Sequence, residues 1–416
     1  MAAVPYDVVS TSEARRLAAG NPLSFLHVSR AEIDLPAGAD PYDRQVYGRA
    51  ARNLATLIER APLVVEKEAA LYLYRMRVDG HEQTGLAGCF SLDEYDRNVI
   101  RRHERTRRDK EDDRTRHMVA LRAQTGIVFL AYRATATVGN VIGGGAAGPP
   151  LLDVAAADGV RHSVWRLSAA ATRAAVSAFA DVPAVYIADG HHRIASAARA
   201  RDELAGDDQN HESRFFLGVA FPDRETRILP YNRTVANLAG RTPPDFLEVL
   251  RERFRVTAGG PPVPPKGRLA MYLDGAWYSI DLASAGAAGT AATATATGRA
   301  AATGTGEDGG PSGGAPAAGA EPAARLDVAI LQDGILAPVL KVADIRTDPR
   351  VTFVGGARGV GALEQAVDSG AAAVAFSLAA VTPDELLAVS DAGGVMPPKS
   401  TWFEPKLRDG LLIHSI

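Results

Sequence analysis

The chain reads as a mixed α/β (α+β) protein, with mixed sheets flanked by helices and arranged in several lobes. Three observations carry that reading. Short apolar, strand-like runs alternate with helical runs along most of the sequence. One such run, AVYIAD (184–189), passes straight into Gly-His-His-Arg and a helix-forming stretch, IASAARARDEL. Finally, 416 residues exceed the roughly 250 to 300 at which single cores stop growing. The expected lobes are an N-terminal α/β lobe over 1–92, a central core over 93–240 and a C-terminal α/β lobe over 241–416.

Taken in order, LSFLHV (23–28) and LYLYRMRV (71–78) read as strands around a helix from Tyr42 to Arg60. From Leu92 the text turns charged and helical, before a buried-strand run, IVFLAYR (127–133). VGNVIGGGAAGPP (138–150) reads as a loop. Strands near 151–154 and 160–167 precede the helix SAAATRAAVSAFAD, then come the strands RFFLGVAF (214–221) and RILPYNRTV (227–235). PDFLEVLRERF (244–254) opens the C-terminal part as an amphipathic helix. Residues 283–325 are rich in Ala, Gly and Thr with almost no large apolar side chains, so a flexible insert is expected there.

The charge balance, 46 Lys and Arg against 49 Asp and Glu, gives a formal net charge of -3. No global field therefore recruits nucleic acid or an anionic membrane, and any attraction for phosphate has to be local. The single cysteine, Cys89, cannot form an internal disulfide. The opening MAAVPYDVVS lacks the basic head and apolar run of a signal peptide, so a cytoplasmic protein is expected. No uninterrupted apolar run reaches the length of a membrane-spanning helix.

The strongest chemical signal is Asp189-Gly190-His191-His192-Arg193, between an apolar strand and a helix. Backbone N–H groups and the helix dipole favour an anion at such a turn. Gly190 permits a close approach, Arg193 can grip phosphate oxygens bidentately, and His191 and His192 add donors. Asp189 can cap the helix, or meet a magnesium ion carried by the nucleotide. An Asp cap beside surface histidines is the plainer alternative. Upstream, His103-Glu104 stands in the charged, helical region, where a carboxylate can serve as general base or simply join a solvated face. Near the end, Lys399, Ser400 and Thr401 of PPKST can hold phosphate or a substrate carboxylate.

These residues resemble the free-serine kinases of the ParB and sulfiredoxin superfamily. That group has an Asp-Gly-His-His-Arg phosphate turn, a His-Glu pair whose glutamate is the catalytic base, and a C-terminal Pro-Lys-(Ser/Thr)-Thr segment. Asp189 to Arg193, His103-Glu104 and Pro398 to Thr401 match in type and order. NPLSFLHVSR, RRHERTRRDKEDDRTRH, AQTG, DGHHR and MPPKSTWFEPKL also resemble a bacterial family catalogued as a domain of unknown function, DUF1015. The resemblance implies a ParB/sulfiredoxin-like core and phosphate transfer from ATP or ADP, with Mg2+, to a small hydroxyl compound such as free serine. It implies that Gly190, His191, His192 and Arg193 hold the phosphoryl group while Glu104 takes the hydroxyl proton.

The same superfamily contains DNA-partitioning proteins, so a nucleotide-dependent binding or regulatory protein without phosphotransfer is the main rival. The basic cluster from Arg101 to Arg116 is interleaved with acids, which suits a duplex poorly. A sulfiredoxin-like activity would need a cysteine where this turn carries histidines.

Overall fold

Strands from both sides of residue 92 pair in one sheet, so the boundary expected there is not a boundary of the fold. The computed structural model describes residues 1–61, 63–284 and 321–416. They form two units, Met1–Arg227 with Phe403–Ile416, and Ile228–Trp402. The flexible insert expected over 283–325 falls mostly on 285–320, outside the described residues. No described helix is long and apolar enough to cross a membrane.

The first unit is built on an eight-stranded mixed sheet. Its strands are β1 (Tyr72–Val78), β2 (His81–Ser91), β3 (Ile100–Arg101), β4 (Val128–Tyr132), β5 (Leu152–Ala155), β6 (Arg161–Arg166), β7 (Val185–Asp189) and β8 (Phe215–Pro222). They lie in the order β3-β7-β4-β8-β2-β1-β6-β5. β3 runs parallel to β7 and β4 parallel to β8, while the other neighbours are antiparallel. Every residue of β4 is buried, as a continuous apolar run requires when both faces are covered. The β1–β2 hairpin turns through Asp79-Gly80, both with positive φ, the Asp-Gly pairing that tight hairpins favour.

Four helices matter for the site: α1 (Arg44–Arg60), α2 (Arg108–Leu121), α3 (Ala169–Ala180) and α4 (His191–Leu204). α4 buries Ile194, Ala197 and Ala200, an i, i+3, i+6 stripe whose small residues let its backbone approach the sheet. α2 is pinned to α4. The Ser196 hydroxyl donates to the Glu111 carbonyl at 3.1 Å, and Arg199 pairs with Asp112 at 2.5 Å and Glu111 at 3.5 Å.

Three local expectations are corrected. LSFLHV is not a strand. Leu26–Ser29 is a single helical turn, and Phe25, Leu26 and Val28 join the buried cluster formed with Val46, Ala50, Leu54 and Leu57 of α1. The Gly-rich stretch after Thr135 is a helix, Ala136–Gly145, because the Thr135 side chain caps it and Val138 and Ile142 bury one face. Finally, the charged region is not continuous helix. It breaks into Leu92–Asp96, the short strand β3, an irregular link over 102–107 and α2, which places Glu104 in the link.

The second unit holds a six-stranded sheet in which all neighbouring strands are antiparallel. Its helices Pro243–Arg251 and Pro383–Asp391 begin at capping boxes, Thr242 with Asp245 and Thr382 with Glu385.

The last fourteen residues, Phe403–Ile416, belong to the first unit, which a C-terminal lobe over 241–416 does not anticipate. Phe403 packs on Phe129 of β4, with centroids 5.3 Å apart. The Arg408 amide donates to the Tyr74 hydroxyl at 3.3 Å, its Nε donates to His162 Nε2 at 3.2 Å, and its guanidinium pairs with Asp158. Asp409 forms a two-way backbone bridge with Ala3. Arg408→Met keeps the backbone amide that meets Tyr74 but should leave His162 Nε2 short of a buried donor. The expected result is a loss of about 2 kcal/mol in the free energy of opening at β1 and β6 amides by hydrogen exchange; unchanged protection there would contradict this anchoring.

Candidate active site

β7 ends at Asp189, where its pairing with β4 shifts register between Phe129 and Leu130. The chain then turns at Gly190, whose φ of 106° lies in the region that side chains disfavour. α4 starts at the next residue with no side-chain cap. The Arg193 and Ile194 amides turn back to the Gly190 carbonyl at 2.9 and 3.1 Å. Helix geometry therefore leaves first-turn amides pointing outward at a positive dipole end.

Around this turn the structure gathers most of the expected residues. The His103 amide donates to His191 Nε2 at 3.4 Å, and the two imidazoles meet edge to face with centroids 4.4 Å apart. Glu104 Oε2 lies 3.7 Å from His191 Nδ1. The Arg107 amide donates to His192 Nε2 at 3.0 Å, so the link over 102–107 is fastened to both histidines of α4.

Electrostatics then separates the roles. His191 and His103 are both buried. Burial pushes His103 down to about 4, and burial, followed by the neighbouring His103, holds His191 well below the usual imidazole range. Both rings are therefore neutral at pH 7. Because Nε2 of His191 accepts an amide hydrogen, its own proton sits on Nδ1, facing Glu104. Glu104 is 51% exposed and can meet a molecule from solvent. His103 Nδ1 is buried with no hydrogen-bond partner among the described residues.

Arg193 differs most from expectation. Instead of facing solvent it is 4% exposed, with Nη1 donating to the Ile127 carbonyl at 2.8 Å and Nη2 to Asp7 at 2.7 Å. Its guanidinium carbon lies 5.6 Å from the centre of the Tyr6 ring. Burial alone would favour loss of its proton, but Asp7 and Asp189 keep it charged. Gly126 leaves room for this inward path, since a Cβ there would come within 3.2 Å of Arg193 Cδ.

Asp189 Oδ2 faces two cations, Lys406 Nζ at 3.5 Å and Arg193 Nη1 at 3.7 Å. Burial would raise its carboxyl, but Lys406 and Arg193 hold it well below the usual carboxylate range. That environment does not fit a direct magnesium ligand, because a third positive charge would face two already in place. Among the described residues no three His, Cys, Asp or Glu side chains are grouped to hold a metal ion.

Lys399, Ser400 and Thr401 lie in the second unit. There the buried Arg233 guanidinium donates to the Pro398 and Lys399 carbonyls at 3.2 and 3.0 Å. Lys399 has positive φ, 52°, and its Nζ lies 5.6 Å from the centre of the Tyr231 ring. Ser400 is buried, its hydroxyl donating to the Pro397 carbonyl. Sequence reasoning missed Arg233, and in the first unit it missed Asp7, Tyr6 and Lys406. The one available signal for Lys406 was a second Pro-Lys pair, Pro405-Lys406, just beyond Pro398-Lys399.

The family described as "Protein of unknown function (DUF1015)" matches residues 1–328. No curated protein matches the chain. Among solved structures it is similar to a free serine kinase in complex with AMP, at 12% identity and a TM-score of 0.33, covering 76% of this chain and 86% of that one. It is also similar to a conserved hypothetical protein from Pyrococcus furiosus, at 13% identity and a TM-score of 0.35, covering 78% and 93%. SbnI from Staphylococcus aureus, with a C-terminal truncation, gives 10% identity and a TM-score of 0.37, covering 78% and 85%.

The buried histidines give the first unit a defined acid response. His103, His117 and His162 are each pushed from 6.5 to about 4, chiefly by burial, so the unfolded chain takes up protons that the fold refuses. Their contribution to stability is complete above about 6.5 and is lost as pH falls toward 4. Asp409, raised by burial to about 7 against the pull of Arg193, works in the opposite sense, and a single carboxyl does not offset three imidazoles. Calorimetry should show the melting temperature of the first unit falling between pH 6.5 and 4.5, at about 1.4 kcal/mol per net proton per pH unit. A flat or rising profile would contradict the neutral assignment.

Proposed function

The chain belongs to the DUF1015 family, and we propose that it transfers a phosphoryl group from ATP or ADP to the hydroxyl of a small metabolite, free L-serine or a close analogue. One observation carries the reading: a half-exposed carboxylate, Glu104, stands 3.7 Å from His191 in the first turn of an uncapped helix. A general base and an anion site thus share one short stretch of structure. The choice of serine rests on the order of the His-Glu, Asp-Gly-His-His-Arg and Pro-Lys-Ser-Thr motifs in the sequence.

In the proposed reaction the terminal phosphoryl group lies at the Gly190 bend, where first-turn amides and the dipole of α4 stabilise its charge. The acceptor hydroxyl approaches from the side of Glu104. As the new P–O bond forms, the bond to the leaving nucleotide breaks and the hydroxyl proton passes to the Glu104 carboxylate. Neutral His191, with its proton on Nδ1, orients that carboxylate without neutralising it. His191 and His192 accept the His103 and Arg107 amide hydrogens and so hold the 102–107 link against α4, fixing the distance between base and phosphate.

A nucleotide-gated, DNA-clamping role is less well supported. Two cations of the charged region already have acidic partners, Arg107 with Asp109 and Arg114 with Asp113. Such pairs leave few counterions to release from a duplex.

Glu104→Gln should lower kcat by about a hundredfold or more, since it removes the base, while ADP affinity stays within about twofold, since no phosphate contact is lost. Mass spectrometry of products formed from serine, paired with calorimetry of ADP binding, reads both quantities. Equal loss of turnover and affinity would contradict the role of Glu104. Nucleotide binding by the unmodified protein without any phosphorylated product would favour a regulatory binding protein instead.

A further inference from the structure

We infer that Lys406 is the cation that meets the transferred phosphate at the Gly190 bend, and that Arg193, the basic residue of the motif itself, is a positioning residue behind it. The inference rests on the phosphotransfer reading and adds a catalytic residue to it.

Distances separate the two cations. Arg193 makes two close contacts, 2.8 Å to the Ile127 carbonyl and 2.7 Å to Asp7, and only 4% of its side chain is exposed. To grip a ligand it would have to abandon both the Asp7 carboxylate and the Ile127 carbonyl, which is costly for a buried guanidinium. Lys406 is more exposed, at 16%, and its contact with Asp189 is the longer 3.5 Å. An ammonium on a flexible four-carbon stem can reorient toward a ligand, whereas a guanidinium held by two close bonds cannot without breaking them. His191 of the turn and His103 beside it add no charge, because both are neutral.

The placement of Lys406 is also preorganised. On one side Phe403 packs on Phe129, and on the other Leu407 is buried and Arg408 is bonded to Tyr74 and His162. Asp189, at the end of β7, then fixes the ammonium beside the bend. The ordering of a long side chain is thus largely complete before a ligand arrives. Within this arrangement Asp189 acts as the counter-ion that stations Lys406, consistent with its poor fit to magnesium.

The test is calorimetric titration of ADP, in magnesium-containing buffer, into the full chain and four variants. Lys406→Met should weaken ADP about ten- to hundredfold, the usual effect of removing a charged hydrogen-bond donor to phosphate, while the melting temperature changes little. Lys406→Arg should recover most of the affinity. If Lys406 only neutralises Asp189, combining Lys406→Met with Asp189→Asn will restore binding to the level of Asp189→Asn alone. We expect the double variant to stay weak. Wild-type affinity in Lys406→Met, or recovery in the double variant, overturns the inference. Should Lys406→Met not fold, Lys406→Gln and Lys406→Arg carry the same comparison. Failure of the unmodified protein to bind ADP would instead remove the phosphotransfer reading on which the inference stands.

Discussion

The site depends on the left-handed turn at Gly190, held from beneath by Arg193. A strand that ends in a carboxylate must reverse into a helix within one residue, and only glycine takes the required φ without penalty. The first turn of α4 then emerges uncapped, with the dipole and amides of its N-terminus directed outward. Arg193, tied to Ile127 ahead of β4 and to Asp7 near the chain start, prevents that turn from relaxing. The proposed anion site is therefore a property of backbone geometry, and the buried charge is part of its foundation.

Two other segments are brought to this turn by separate means. The link over 102–107 lies between β3 and α2, and α2 is fastened along α4 by Ser196 and Arg199. This connection is why Glu104, in an irregular stretch, stands at a defined distance from His191. The C-terminal segment joins the first unit through Phe403, Arg408 and Asp409 and carries Lys406 to Asp189. Residues far apart in sequence thus meet at one bend, each supported by packing that has no chemical role of its own.

How much of this was readable in advance follows from range. The turn itself was legible, because AVYIAD followed by Gly-His-His-Arg is a local pattern and local patterns constrain local geometry. Mixed α/β architecture was legible for the same reason, from alternating apolar and helical runs. The inward direction of Arg193 was not, since four polar side chains around a glycine do not reveal which of them faces the core. Nor was Lys406 distinguishable from Lys399, two lysines each preceded by proline, because the choice depends on where the chain crosses from one unit to the other. The helix Ala136–Gly145 escaped notice because its glycines read as loop punctuation, while one threonine cap and two buried apolar residues were enough to hold it. In the charged region, composition favoured helix throughout, and the hydrogen bonds of the His103 and Arg107 amides to imidazoles, which a continuous helix would not permit, broke it.

The account is tested most directly by a crystal structure of the protein with ADP bound. It requires the terminal phosphate of the nucleotide to sit within hydrogen-bonding distance of the first-turn amides of α4, on the side facing Glu104. A well-ordered diphosphate bound elsewhere on the protein, with the Gly190 turn unoccupied, would contradict it.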